Sequence, residues 1–212
     1  MKILIASDLH GSAEYCRQLI EAFKRENADK LLLLGDILYH GPRNDLPEEY
    51  SPKSVLNQLE TVKDKIICVQ GNCDADIDTR LLPFPVLPSF GAVFSDGIEI
   101  YFAHGHNAAP PLKKGDVYLT GHTHVPVNEM TDGYYHLNPG SVSLPKEGSV
   151  HGYLVYENRR FIFKNLDGTA YDELEIKEED EPLSESAPVV KPMPAPVRRP
   201  QIVRRKIIVR RK

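Results

Sequence analysis

Two imidazoles, His122 and His124, stand one residue apart in Gly121-His122-Thr123-His124, directly behind the apolar run 117–119. In a strand or turn a spacing of two aims both rings to one side. Neutral imidazole is the commonest side-chain ligand for first-row metals. A lone His-x-His pair is as often surface decoration; recurrence gives this one weight. Four upstream places put a metal-capable side chain at or just past an apolar run: Asp8-Leu9-His10, Gly35-Asp36, Gly71-Asn72 and His104-Gly105-His106. Asp8, His10, Asp36, Asn72, His104, His122 and His124 thus offer carboxylate or amide oxygen and imidazole nitrogen. That mixture suits Mn²⁺, Fe²⁺, Zn²⁺, Ni²⁺ or Co²⁺ better than Ca²⁺ or Mg²⁺. Seven side chains are too many for one ion that keeps a place for water. Two ions about 3.5–4 Å apart, sharing one carboxylate, use them all.

The elements that must position these groups follow from the apolar pattern. Residues 3–6, 31–34 and 66–69 read as buried strands. Between them, 12–27 reads as a helix with Ser12 as cap and Leu19, Ile20 and Phe23 at helical spacing. A second helix starts at Pro52 and runs to about Val62. Strand, helix, strand, helix, strand predicts parallel βαβ units with their carboxyl ends on one edge, where α/β proteins bind ligands. The second half predicts hairpins around Asp96-Gly97, Asp132-Gly133 and 157–160. The proline-rich segment 81–88 reads as a packed crossover loop. The expected architecture is therefore an α/β fold with two packed sheets.

The chain has 212 residues, 41% of them hydrophobic and 26% charged, which is ordinary for a globular protein. No apolar run approaches the roughly 20 residues that span a bilayer, and the start of the chain lacks a signal-peptide pattern. A cytoplasmic location is expected. Cys16, Cys68 and Cys73 suit a reducing compartment and cannot form a disulfide framework. Of the 26 basic and 30 acidic residues, ten basic and five acidic fall in 177–212, a balance of +5 against −9 for 1–176. Two regions are expected: a folded domain over 1–176, and a proline-rich tail over 177–212 that cannot bury enough to fold alone.

In order along the chain, Asp-x-His, Gly-Asp, Gly-Asn, a lone His and Gly-His-x-His resemble the motifs of the calcineurin-like metallophosphoesterases. Gly35-Asp36 followed by His40-Gly41-Pro42-Arg43-Asn44, Gly71-Asn72-Cys73-Asp74, and Asn138-Pro139-Gly140-Ser141-Val142-Ser143 are closer to the small bacterial YfcE-like phosphodiesterases. The resemblance covers Lys2 to about Ser141. It implies a four-layer α/β/β/α sandwich of two mixed sheets flanked by helices, and hydrolysis of a phosphoester by two divalent ions, manganese first among them. It further implies that Asp8, His10 and His124 hold one ion, that Asn72, His104 and His122 hold the other, and that Asp36 bridges them. A hydroxide between the ions would be the nucleophile.

One departure concerns the leaving group. Many members follow Gly-Asn with a His that resembles a general acid; this chain has Cys73. A thiol is a poor match to that proton transfer, so activated esters are expected to suffer least. Arg43 and Asn44 are candidate phosphate contacts, and His40 and His106 lie beside candidate ligands. His136 and His151 read as surface or packing residues. Two other readings remain on the same fold. One is a phosphomonoesterase; the other is a non-catalytic protein-interaction scaffold, as the retromer subunit resembles these enzymes with part of the ligand set lost. Oligomerisation is left open. The tail ends in repeated basic clusters from Val197 to Lys212, which could hold nucleic acid or an anionic membrane through charge. It has no aromatic residue among the arginines on which bases could stack.

Overall fold

The computed structural model describes residues 1–177; the expectations for the tail lie outside the described residues. The first half builds β1 (Ile3–Ala6), α1 (Ala13–Arg25), β2 (Lys30–Leu33), α2 (Pro52–Glu60), β3 (Ile66–Val69), α3 (Asp76–Leu81) and β4 (Val86–Leu87). Strands then follow: β5 (Phe90–Ser95), β6 (Ile98–Ala103), β7 (Val117–Leu119), β8 (Pro126–Thr131), β9 (Tyr134–Pro139), β10 (Gly152–Glu157), β11 (Arg160–Asn165) and β12 (Ala170–Glu175). They form a seven-stranded sheet, β12-β11-β10-β1-β2-β3-β4, and a five-stranded sheet, β5-β6-β7-β9-β8. Each is mixed: β1 to β4 run parallel with β10 antiparallel beside β1, and β6, β7 and β9 run parallel between antiparallel edges.

Side-chain alternation decides what each sheet face meets. Leu4, Ala6, Leu31 and Leu33 point to one side, where Leu19 and Phe23 of α1 and Val55 and Leu59 of α2 close a core. Ile3, Ile5, Leu32 and Leu34 point to the other side and pack on Ile100, Phe102, Leu119 and Leu137 of the second sheet. Each such side chain, buried fully, contributes about 1.5–3 kcal/mol. Because β1, β2 and β3 advance in one direction across the sheet, right-handed crossovers put α1 and α2 on the same face. Ser12 caps α1 as expected, its hydroxyl accepting from the Tyr15 N–H at 3.2 Å.

The hairpins fall where the Asp-Gly pairs placed them. Asp96 and Gly97 have φ of 54° and 81°, Asp132 and Gly133 51° and 89°. Positive φ at both central residues marks the type I′ turn that matches strand twist. Among the described residues all helices precede β4, and α1 and α2 pack on the seven-stranded sheet. The parallel β6–β7 connection is the irregular segment 104–116, tied to the outward face of the second sheet by Lys113 and Glu99 at 3.2 Å. Phe90 and Phe94 of edge strand β5 are exposed there.

Three elements differ from the expectation. The segment 81–88 is not wholly loop: Val86 and Leu87 pair with Cys68 and Val69 as β4, since both prolines flanking that pair, Pro85 and Pro88, lie outside the two-residue ladder. Helix α3 was not anticipated, and none of its residues is buried. Strand β12 was missed because Ala170–Glu175 is an almost wholly exposed, acidic edge strand, with no apolar alternation to announce it.

Candidate metal centre

The carboxyl ends of β1, β2 and β3 in one sheet and of β6 and β7 in the other meet at one rim. Every residue singled out for metal chemistry lies on the loops there. Asp8, His10, Asp36, His122 and His124 have φ of 59°, 48°, 54°, 68° and 63°. Non-glycine residues in this left-handed region each cost about 1–3 kcal/mol, and such strain gathers at functional sites. Glycines allow the close approach. A Cβ on Gly71 would land on the Asp36 carboxylate, and one on Gly121 on the Ser7 hydroxyl.

Three histidines are aimed by the same device. His10 Nδ1 lies 2.8 Å from the Tyr39 carbonyl, His104 Nδ1 2.7 Å from Leu34 O, and His124 Nδ1 2.7 Å from Leu144 O. A carbonyl only accepts, so each Nδ1 carries the proton and each Nε2 faces the centre. There, His124 Nε2 and His10 Nε2 stand 3.3 and 3.5 Å from Asp8 Oδ1. Asp36 Oδ2 stands 3.7 Å from His10 Nε2 and 3.4 Å from His104 Nε2, which also meets Asn72 Oδ1 at 3.1 Å. Asp36 therefore lies between the two groups of donors.

This donor set fits divalent cations. Asp8, His10 and His124, and again Asp8, Asp36 and His104, bring ligand atoms within 4.8 Å of one another, all buried. Asp8 Oδ1 is buried with no hydrogen-bond donor, an expense of several kcal/mol for a carboxylate unless a cation answers it. His122 closes the far side: its ring centre is 5.2 Å from that of His104, and its N–H donates to Asp8 Oδ2 at 3.0 Å.

The electrostatics agree. Burial alone would raise the Asp8 carboxyl, but His10 and His124 hold it well below the usual range. Burial would lower His104, but Asp36 and Asp8 carry it up to about 9. Two carboxylates this buried are seeking positive charge.

The remaining candidates divide. Cys73 sits in the site: its Sγ falls within 4.8 Å of donor atoms of His10 and Asp36, and its N–H donates to Asp36 Oδ1 at 2.8 Å. Burial, followed by the Asp36 carboxylate, pushes its thiol up to about 12. Arg43 lines a cavity of about 770 Å³ that opens on Asp36, Asn72, His122 and His124. His106 neighbours the His104 and His122 rings at 5.4 and 6.2 Å. His40 instead packs between Tyr39 and Tyr50. His136 and His151 lie away from the centre, bonded to Thr120 and Val142.

Sequence reasoning assigned no role to the groups that tie the loops together. Asp74 accepts from the N–H groups of Asp36, Ile37 and Gly71 at 2.8, 2.7 and 2.8 Å, clamping the β2 and β3 loops. Ser141 and Ser143 both donate to the Asp8 carbonyl, at 2.8 and 2.9 Å. Asn138 Nδ2 donates to Gly121 O at 2.7 Å. Lys146 lines the same cavity as Arg43. The Asn-Pro-Gly-Ser motif was visible, but only the fold shows that it grips the Asp8 and Gly121 loops.

The chain is similar to known phosphodiesterases in sequence and in fold. The chain is 42% identical to phosphodiesterase YfcE of Escherichia coli K12 over 162 residues, covering 74% of this chain and 88% of that one. It is 28% identical to phosphodiesterase MJ0936 of Methanocaldococcus jannaschii over 155 residues, 66% and 83% of the two chains. The solved structure of the E. coli phosphoesterase YfcE superposes with a TM-score of 0.80 at 39% identity, covering 84% of this chain and all of that one. A zinc-bound Vps29 of Entamoeba histolytica shares the fold alone, at 18% identity and a TM-score of 0.57, over 84% of this chain and 100% of its own. Residues 1–160 match the calcineurin-like phosphoesterase superfamily domain, and with two sheets converging on an Asp, His and Asn cluster, the chain belongs to that family.

Proposed function

We propose that the protein is a phosphodiesterase working with two divalent ions, manganese being the first to test. Asp8, His10 and His124 would hold one, Asn72, His104 and His122 the other, with Asp36 shared. The observation that carries this is the convergence of three Nε2 atoms and two buried carboxylates, with Asp8 Oδ1 lacking any donor. When bound, the ions supply an activated water at neutral pH and screen the charge that grows on the phosphoryl oxygens. The chain's own residues do the positioning. Asp74, Ser141 and Ser143 fix the loops of Asp36 and Asp8, and the carbonyls of Tyr39, Leu34 and Leu144 fix the three rings. Cys73 stands where a leaving group would need a proton, and a thiol held near 12 gives one up reluctantly.

Among the described residues no helix is long and apolar enough to cross a membrane. A cytoplasmic enzyme whose basic tail holds polyanions is the reading that the tail's composition supports. The experiment is stoichiometry with activity. Chelator-stripped protein should hydrolyse bis(4-nitrophenyl) phosphate only after Mn²⁺ is restored, with two ions bound per chain. One ion per chain at full activity would sink the two-ion reading, and activity in stripped protein would sink metal dependence.

A further inference from the structure

Arg43 and Lys146 are exposed cations on two different loops of the 770 Å³ cavity above the centre. Among the described residues neither makes an ion pair. Their loops are nevertheless fixed. Tyr39, whose carbonyl aims His10, precedes a turn in which Asn44 Nδ2 donates to His40 O at 2.8 Å. That turn presents Arg43. Leu144, whose carbonyl aims His124, precedes Lys146, whose N–H donates to His124 O at 3.2 Å. The loops that orient two of the rings thus also carry the two rim cations.

Their charge has no counterpart in a simple diester. A diester bears one negative charge, which two divalent ions beside Asp8 and Asp36, with a hydroxide bound, would already balance. Asp74, the other acidic wall residue, is turned onto three backbone N–H groups and, among the described residues, pairs with neither cation. We propose that Arg43 and Lys146 form an anion subsite, and that the natural substrate is a phosphodiester carrying a second phosphate group near the scissile one. This rests on the phosphodiesterase reading above and adds the substrate's charge to it. Guanidinium offers a phosphate two parallel donors and the ammonium a third, mobile one.

Two substrate pairs test it on the full-length, Mn²⁺-loaded chain. Thymidine 5′-(4-nitrophenyl phosphate) is compared with the same ester bearing a 3′-phosphate, by kcat/KM. Thymidine 5′-monophosphate is compared with thymidine 3′,5′-bisphosphate, by calorimetric binding, which needs no turnover. The extra phosphate should improve both quantities at least about tenfold. In the Arg43→Gln, Lys146→Gln double variant both ratios should fall below about threefold. Ratios near one in the unaltered protein, or ratios that survive the double substitution, overturn the subsite. If neither ester is hydrolysed while the bisphosphate preference holds and depends on the two cations, the diesterase reading fails and the anion subsite stands.

Discussion

His10 Nε2 and His124 Nε2 face each other at 3.1 Å across 114 residues of chain. Each ring spends its Nδ1 on a backbone carbonyl, so both Nε2 atoms turn inward beside the buried Asp8 Oδ1. Inward-facing imidazole nitrogens around a buried carboxylate suit a site that receives a cation. Removing the ions should therefore loosen this rim before the rest of the fold. Chelation is expected to lower the melting temperature by several degrees, with Mn²⁺ restoring it in proportion to occupancy. Equal melting temperatures with and without metal would show that the rim carries its strain unaided.

Asp36 is the residue on which both proposed ion positions depend. Its Oδ1 accepts the Cys73 N–H while Oδ2 faces His10 and His104. In Asp36→Asn the amide oxygen keeps the Cys73 bond, which turns an NH₂ toward the two rings. Turnover of an aryl diester should fall at least about 10³-fold and bound metal should drop below one ion per chain. Wild-type turnover with two ions retained would remove Asp36 from the bridging position.

The thiol at Cys73 is expected to set a preference among substrates. Aryl diesters should be cleaved far faster than alkyl monoesters, because a nitrophenolate departs without a proton. Cys73→His should narrow that gap, since general acids contribute about 10²–10⁴-fold. A Cβ added at Gly41 would lie 2.9 Å from Cys73 Sγ, so a larger side chain at position 73 has little room on that side. A ratio unchanged by the substitution, with metals bound, would turn attention to His106, beside His104 and His122. In metal-free protein a thiol pushed up to about 12 should also react with iodoacetamide at pH 8 much more slowly than a free cysteine.

The metal-capable cluster was legible because each member ends an apolar run, and runs of four buried residues with polar punctuation survive as strands. Asp8, Asp36 and His104 carry that signal in the sequence itself. Asp74 does not. Its role exists only because the β2 and β3 loops come together, a distance no local pattern encodes. Ser143 and Lys146 are likewise defined by what they approach. Strand β12 escaped for a different reason: as an edge its pairing with β11 runs through the backbone, and its side chains answer to solvent rather than to a core.

Away from the site, Glu26 joins α1 to the sheet. Its carboxylate accepts from Lys164 Nζ at 2.8 and 2.9 Å and from Tyr153 OH at 2.8 Å. Burial would raise its pKa, but Lys164 and Tyr153 together hold it below the ordinary value. A depressed folded-state pKa gives stability that is present above the unfolded value, about 4.3, and lost as pH falls through the folded one. Metal-free protein should lose stability to urea on acidification below about pH 5, and Glu26→Gln should be less stable at neutral pH with a flatter acid limb. Identical acid limbs in the two proteins would place the loss elsewhere.

Arg159 holds the end of the folded domain. Ile176 was expected to be its final residue, and it is buried at 3% exposure among the side chains between the sheets. Its N–H donates to Arg159 O and its carbonyl accepts from Arg159 Nε. Lys177 O accepts from the Arg159 guanidinium as well, so the cut belongs after Lys177. We expect the chain 1–177 to fold and to turn over small aryl diesters within about twofold of full length, since all seven candidate ligands precede residue 125. Removal of the tail should abolish retention on nucleic acid or anionic vesicles, an association that weakens steeply between about 50 and 200 mM salt. Turnover and retention are measured together across that range, with and without the tail. Collapse of turnover or solubility on truncation would place tail contacts on the domain. Retention that ignores truncation would remove the tail from polyanion binding.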